Sequence, residues 1–101
     1  MSTTNDTPVR CHPSCITAKL AGEWKAYYMN NSAGPECAIE QHGIDLVFKI
    51  NEPRPPPDGN RSDGFFISAD TVVACHWRCQ KGLIQDGGRK IVWEDSYWVK
   101  K

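Results

Sequence analysis

From Leu20 to the end of this chain, no apolar stretch runs longer than about nine residues before turn-forming residues interrupt it. A globular helix needs roughly ten residues or more of 3.6-residue periodicity, whereas strands need only four to eight. That punctuation forces a chain of short strands. Leu20 to Tyr28 is the first, and Cys37 to Gln41 the second. His42-Gly43 then reads as a tight hairpin turn. The clearest alternation follows, with Ile44, Leu46, Phe48 and Ile50 on one side and Asp45 and Lys49 on the other. Phe65–Ile67 and Thr71–Trp77 flank Ser68-Ala69-Asp70. Gly82–Gln85 runs into Asp86-Gly87-Gly88, a strong turn signal. Ile91-Val92-Trp93 and Tyr97-Trp98-Val99 close the chain around Glu94-Asp95-Ser96.

About eight strands in an up-and-down meander leave two open edges unless the last strand pairs with the first. Closure satisfies both rows of edge hydrogen-bonding groups, so the expected fold is all-β, a small antiparallel barrel. An eight-stranded barrel can be filled by side chains or hold one small ligand. Trp24, Phe48, Phe65, Trp77, Trp93 and Trp98 are the side chains expected inside it, filling the lumen or contacting a ligand there. At 101 residues the chain suits one domain. Residues 1–16 read as a disordered polar tail and 17–101 as the barrel. A proline-rich loop is expected at 51–64, where four prolines and two glycines gather and ladder donors are lost.

Leu20-Ala21-Gly22-Glu23-Trp24 carries Gly-x-Trp on the first strand, and the last hairpin reads Ile91-x-Trp93, an acidic turn, then Trp98. In these features the chain resembles the calycins, the group of lipocalins, fatty-acid-binding proteins and avidins. The resemblance extends over roughly residues 20–100. It implies that Trp24 plugs one barrel end, and that a basic side chain of the final strand, Lys100 or Lys101, lies across it as a cation–π contact. The chain is shorter than typical lipocalins and lacks the helix many of them carry after the barrel.

Five cysteines form two similar groups, Cys11-His12-Pro13-Ser14-Cys15 and Cys75-His76-Trp77-Arg78-Cys79, with Cys37 apart. Three readings stand open. Cys11, Cys15, Cys75 and Cys79 could hold zinc, with His12 or His76 replacing one of them. They could instead pair as disulfides, leaving Cys37 over in its strand. Or they are reduced, buried thiols. Zinc sets a geometric condition. Were 75–79 extended, the two sulfurs would start about 13 Å apart, so the chain must turn near Trp77-Arg78.

Three of five asparagines head Asn-x-Ser/Thr triplets, at Asn5, Asn30 and Asn60, where eleven Ser and Thr would give fewer than one by chance. Together with the cysteines they allow a secreted mature chain, although the opening MSTTNDTPVR lacks a leader's apolar stretch. Catalysis is not expected. His76 beside Cys75 would face the opposite way on a strand, and Glu40/Asp45 and Glu94/Asp95 read as solvent-facing turn acids. No cofactor motif is present apart from the zinc reading.

Twelve basic residues balance twelve acidic ones, which removes the broad attraction that non-specific nucleic-acid binding needs. The charge is uneven, with six bases against three acids in 75–101. Arg78, Lys81, Arg89, Lys90, Lys100 and Lys101 beside Trp77, Trp93 and Trp98 could form a stacking surface, or a solvated face over core indoles, the latter reading being favoured. No apolar run reaches a membrane span. Pro53-Arg54-Pro55-Pro56-Pro57 carries the Pro-x-x-Pro spacing that aromatic-lined grooves recognise. The expected function is therefore a non-catalytic binding or protein-interaction module, with a protein partner favoured over a small apolar ligand. A secreted, disulfide-stabilised effector or defence protein is the alternative.

Overall fold

A computed structural model describes Arg10, His12 and residues 18–52 and 59–101. Cys11, Cys15 and the Pro53–Pro57 segment lie outside the described residues. The chain forms eight antiparallel strands: β1 (Gly22–Tyr28), β2 (Ala33–His42), β3 (Asp45–Ile50), β4 (Arg61–Ser68), β5 (Thr71–Ala74), β6 (Gln80–Gln85), β7 (Lys90–Val92) and β8 (Ser96–Lys100). Each pairs with the next, and β8 returns to β1, closing the barrel. In that last pairing Trp24 meets Lys100, Lys25 meets Val99 and Tyr28 meets Ser96. The turns use the expected chemistry. Gly43 has φ +63°, and Asp86, Gly87 and Gly88 take φ of 54°, 66° and 95°.

Strand alternation fills the lumen. Trp24 and Ala26 of β1, Cys37 and Ile39 of β2, Leu46, Phe48 and Ile50 of β3, Phe66 of β4, Val72 and Ala74 of β5, Ile91 and Trp98 belong to one buried cluster. Trp24, Phe48, Phe66 and Ile91 are completely buried. Two glycines make room for the rings. A Cβ on Gly64 would lie 2.6 Å from Phe48 Cε2 and 2.0 Å from the Val73 carbonyl oxygen. One on Gly82 would lie 2.7 Å from Ile91 Cγ2 and 3.0 Å from Trp93 Cζ3. Above them Phe48, Trp93 and Trp98 pack edge to face, with centroids 5.3–6.1 Å apart.

Three sequence expectations change. Phe65, expected in the lumen, is buried at 8% exposed but lies apart from the lumen cluster, on the outer side of β4, and Phe66 takes the inner place. The interior phase of β4 runs through Ser62, Gly64 and Phe66, and a one-residue slip would reverse every side chain. The Arg10 guanidinium covers Phe65 at 4.5 Å from its ring centroid and meets Asp45 at 3.2 Å. Second, β4 begins at Arg61, inside the segment expected to be loop to 64. Its first inward residues, Ser62 and Gly64, are small because Phe48 occupies the space between the strands. Third, β5 ends at Ala74, so Cys75 and His76 are not on a strand. Residues 75–79 form a turn, with Arg78 and Cys79 at φ 62° and 54°.

Candidate functional site at the loop end of the barrel

An eight-stranded meander has seven connections, three at the end where β1 begins and four at the opposite end. The end where β1 begins is plugged. Leu20 is completely buried there and its carbonyl accepts the Trp24 indole N–H at 2.8 Å. The Gln41 amide clamps the same segment, accepting from Leu20 N at 2.7 Å and donating to the Ala18 carbonyl at 3.3 Å. The Lys100 ammonium donates to the Lys19 carbonyl at 2.9 Å, so the final-strand cation ties down the plug through a hydrogen bond.

The opposite end gathers the motifs. It carries the β1–β2 turn with exposed Tyr28 and Met29, the Cys75–Cys79 turn, the acidic turn after β7, and the roots of the proline segment. Those roots are pinned, since Ile50 N donates to the Asn60 carbonyl at 2.8 Å and Asn51 N to the Glu36 carbonyl at 2.8 Å. Between the turns lies a hollow of about 380 Å³, walled by Ile50, Trp77, Trp93 and Trp98 and rimmed by Arg78, Gln80, Glu94, Asp95 and Ser96. The acidic turn is rigidly held. Trp93 N donates to the Ser96 carbonyl at 2.8 Å and Glu94 N to Gln80 Oε1 at 3.0 Å. The Trp93 indole N–H is buried without a hydrogen-bond partner among the described residues. Leaving such a donor unsatisfied costs about 1–3 kcal/mol.

The six aromatics expected to share a ligand site divide four ways. Trp24 belongs to the plug, Phe48 to the middle, and Trp77, Trp93 and Trp98 to the floor of the hollow, while Phe65 is buried under Arg10 outside the lumen cluster. At 6%, 4% and 3% exposed, the three floor indoles are too buried to form a stacking surface. The basic residues do not interleave with them. Arg78 stands on the hollow's rim, whereas Arg89, Lys100 and Lys101 border a second hollow at the plugged end.

The turn at 75–79 brings Cys75 and Cys79 together, Cys79 Sγ lying 3.8 Å from the Cys75 carbonyl. It meets the bend that shared metal ligation requires of this pair. No group of three or more His, Cys, Asp or Glu positioned for a metal occurs among the described residues, and no disulfide joins Cys37, Cys75 and Cys79. Burial pushes the Cys75 thiol above its ordinary range, Cys79 and Asp63 adding to the rise and Arg10 opposing it. The adjacent imidazole is committed elsewhere, its Nδ1 accepting from Asp63 N at 3.4 Å while His76 N donates to Ser62 Oγ at 2.9 Å.

Sequence reading missed the exposed Tyr28–Met29 tip, the Arg10 cover and the unsatisfied Trp93 donor. Only the first left a trace, as two large apolar residues running into Asn30-Asn31-Ser32. Among the described residues no helix is long and apolar enough to cross a membrane. No family model, curated protein or solved structure matches the chain.

Proposed function

We propose that this protein is a non-catalytic interaction module, a barrel of the calycin kind that offers its loop end to a protein partner. The observation that carries the proposal is the filled lumen. Trp24, Phe48, Phe66 and Ile91 leave the centre to side chains, so recognition falls to the end where the proline segment is rooted. A protonated, half-buried Cys75 and an imidazole already hydrogen-bonded support the non-catalytic reading. The expected partner carries an aromatic-lined groove that reads Pro53-x-x-Pro56, with Tyr28 and Met29 adding apolar contact beside it.

The test is titration against a panel of SH3, WW and EVH1 domains. At least one is expected to bind with a Kd of about 10–100 μM, and replacing Pro53, Pro55, Pro56 and Pro57 by alanine abolishes binding without shifting Tm. Failure of every domain to bind at millimolar concentration overturns the proposal.

A second reading is a secreted, disulfide-stapled protein. It is favoured by Arg10, one residue before Cys11, which docks on Phe65 and Asp45 and whose charge reaches Cys75. Thiol counting on native protein, with mass measurement for zinc, separates the two readings. One or three free thiols and no metal support stapling, and five free thiols refute it.

A further inference from the structure

We infer that the second hollow, at the plugged end, is a site for a compact, multiply charged oxyanion of the phosphate-ester class. Its lining is Lys19, Gly87, Gly88, Arg89, Lys100 and Lys101, which puts four cations and no carboxylate around about 510 Å³. Three segments converge there because the barrel closes. Lys100 N donates to the Arg89 carbonyl at 2.8 Å and Lys101 N to the Glu23 carbonyl at 2.9 Å, so the end of β8 is pinned between the approach to β7 and the start of β1. The β6–β7 turn leans on the plug, since a Cβ on Gly88 would lie 3.4 Å from Ala18 Cβ. Lys100 is held in place at both ends of its side chain. Its Cε would lie 3.4 Å from a Cβ on Gly22, and its ammonium donates to the Lys19 carbonyl at 2.9 Å. That bond uses one of three N–H donors and leaves two for a ligand. A cation already ordered by the plug has little conformational freedom to lose on binding.

The surrounding charges select the ligand. Glu36 is shared between Lys25, at 3.1 Å, and Lys101. Glu23 lines a different hollow, with Lys49 and Arg61, and Asp86 is exposed on the turn, outside the lining. Counting Glu36, Asp86 and the carboxylate of the last residue against the four cations still leaves positive charge in excess. A phosphate ester answers that excess with close to two negative charges and three strong acceptor oxygens. The planar fork of Arg89 suits two of those oxygens, and the ammoniums of Lys19 and Lys100 suit the rest. This inference does not rest on the loop end, and the Pro→Ala variant described above retains the site.

The test is a titration of the ¹⁵N-labelled full chain, at about 0.15 M salt, with inorganic pyrophosphate and inositol trisphosphate, and with inositol as the neutral control. The Gly87, Gly88 and Lys101 amide resonances are expected to shift saturably with a Kd of about 0.1–1 mM for at least one polyanion, and inositol to shift none. Lys19→Gln with Arg89→Gln, both exposed, weakens binding about tenfold. Arg61→Gln with Lys81→Gln makes the same change in net charge away from the hollow and leaves binding within about twofold. Sedimentation with phosphatidylcholine vesicles, with and without phosphatidylinositol bisphosphate, distinguishes the sources of the ester. Phosphoinositide-dependent pelleting that the Lys19/Arg89 variant loses assigns the hollow to a lipid headgroup, and soluble binding without pelleting assigns it to a free ester. No saturable shift with either polyanion at about 10 mM, or equal weakening by the two double variants, overturns the inference.

Discussion

At single residues, the core depends on where side chains are missing as much as on where they are large. Gly82 gives Trp93 and Ile91 their places, so Gly82→Ala forces a methyl group into contact at 2.7 Å. It is expected to cost about 1–3 kcal/mol of stability, read as a lower urea midpoint at unchanged m-value. Gly43→Ala meets no neighbouring atom but holds φ at +63°, so it costs only backbone strain, about 1 kcal/mol. Cys75 gives a chemical counterpart. Its raised thiol pKa keeps the thiolate scarce, while Cys79 is exposed. Near pH 8 iodoacetamide is expected to modify Cys79 before Cys75, as peptide mass mapping will show, and the opposite order contradicts the described environment. Among acids, Glu40 is lowered first by its hydrogen bond from Lys49, and Asp70 by hydrogen bonds from Ser68 and Thr71. A lowered carboxylate pKa stabilises the fold above the unfolded-state pKa, and that contribution is lost as pH falls through the folded-state value. Lys49→Met is therefore expected to flatten the fall in stability below about pH 5, measured by denaturant titration across the acid range.

At the level of strands, β8 ties the structure together because it pairs with both β7 and β1. Val99 sits opposite Lys90 on one side and Lys25 on the other. Proline there removes an amide donor from the ladder and adds a ring clash, so Val99→Pro is expected to destabilise the fold by about 3 kcal/mol. Thermal denaturation will measure it. Leu83→Lys on β6, at a half-exposed outward site, is expected to stay within about 0.5 kcal/mol of the parent. The bulge in the β1–β2 pairing, between Lys25 and Tyr27, fits the same logic. It lies opposite Gly34-Pro35, where the proline has no ladder donor to give.

Over the whole molecule, the architecture was legible because the signals were local. Alternation from Ile44 to Ile50, the His42-Gly43 and Asp86-Gly87-Gly88 turns, and the physical penalty of open edges together specify a closed meander. The site was legible only in part. Cys75 and Cys79 could be paired by eye, yet the turn between them depends on left-handed backbone at Arg78 and Cys79, which no glycine announces. Phe65 and Phe66 are chemically alike, so alternation alone could not say which faces inward, and Gly64 settles it only once Phe48 is known to lie over it. The Trp93 donor was invisible, since a tryptophan's burial says nothing of whether its nitrogen finds a partner. Native-state amide exchange resolved by residue tests the continuous tube most directly. Every strand amide from Gly22 to Tyr28 and from Ser96 to Lys100 is predicted to exchange slowly, because each strand has neighbours on both sides. Fast exchange at every second residue of both segments, the mark of two unpaired borders, would contradict it.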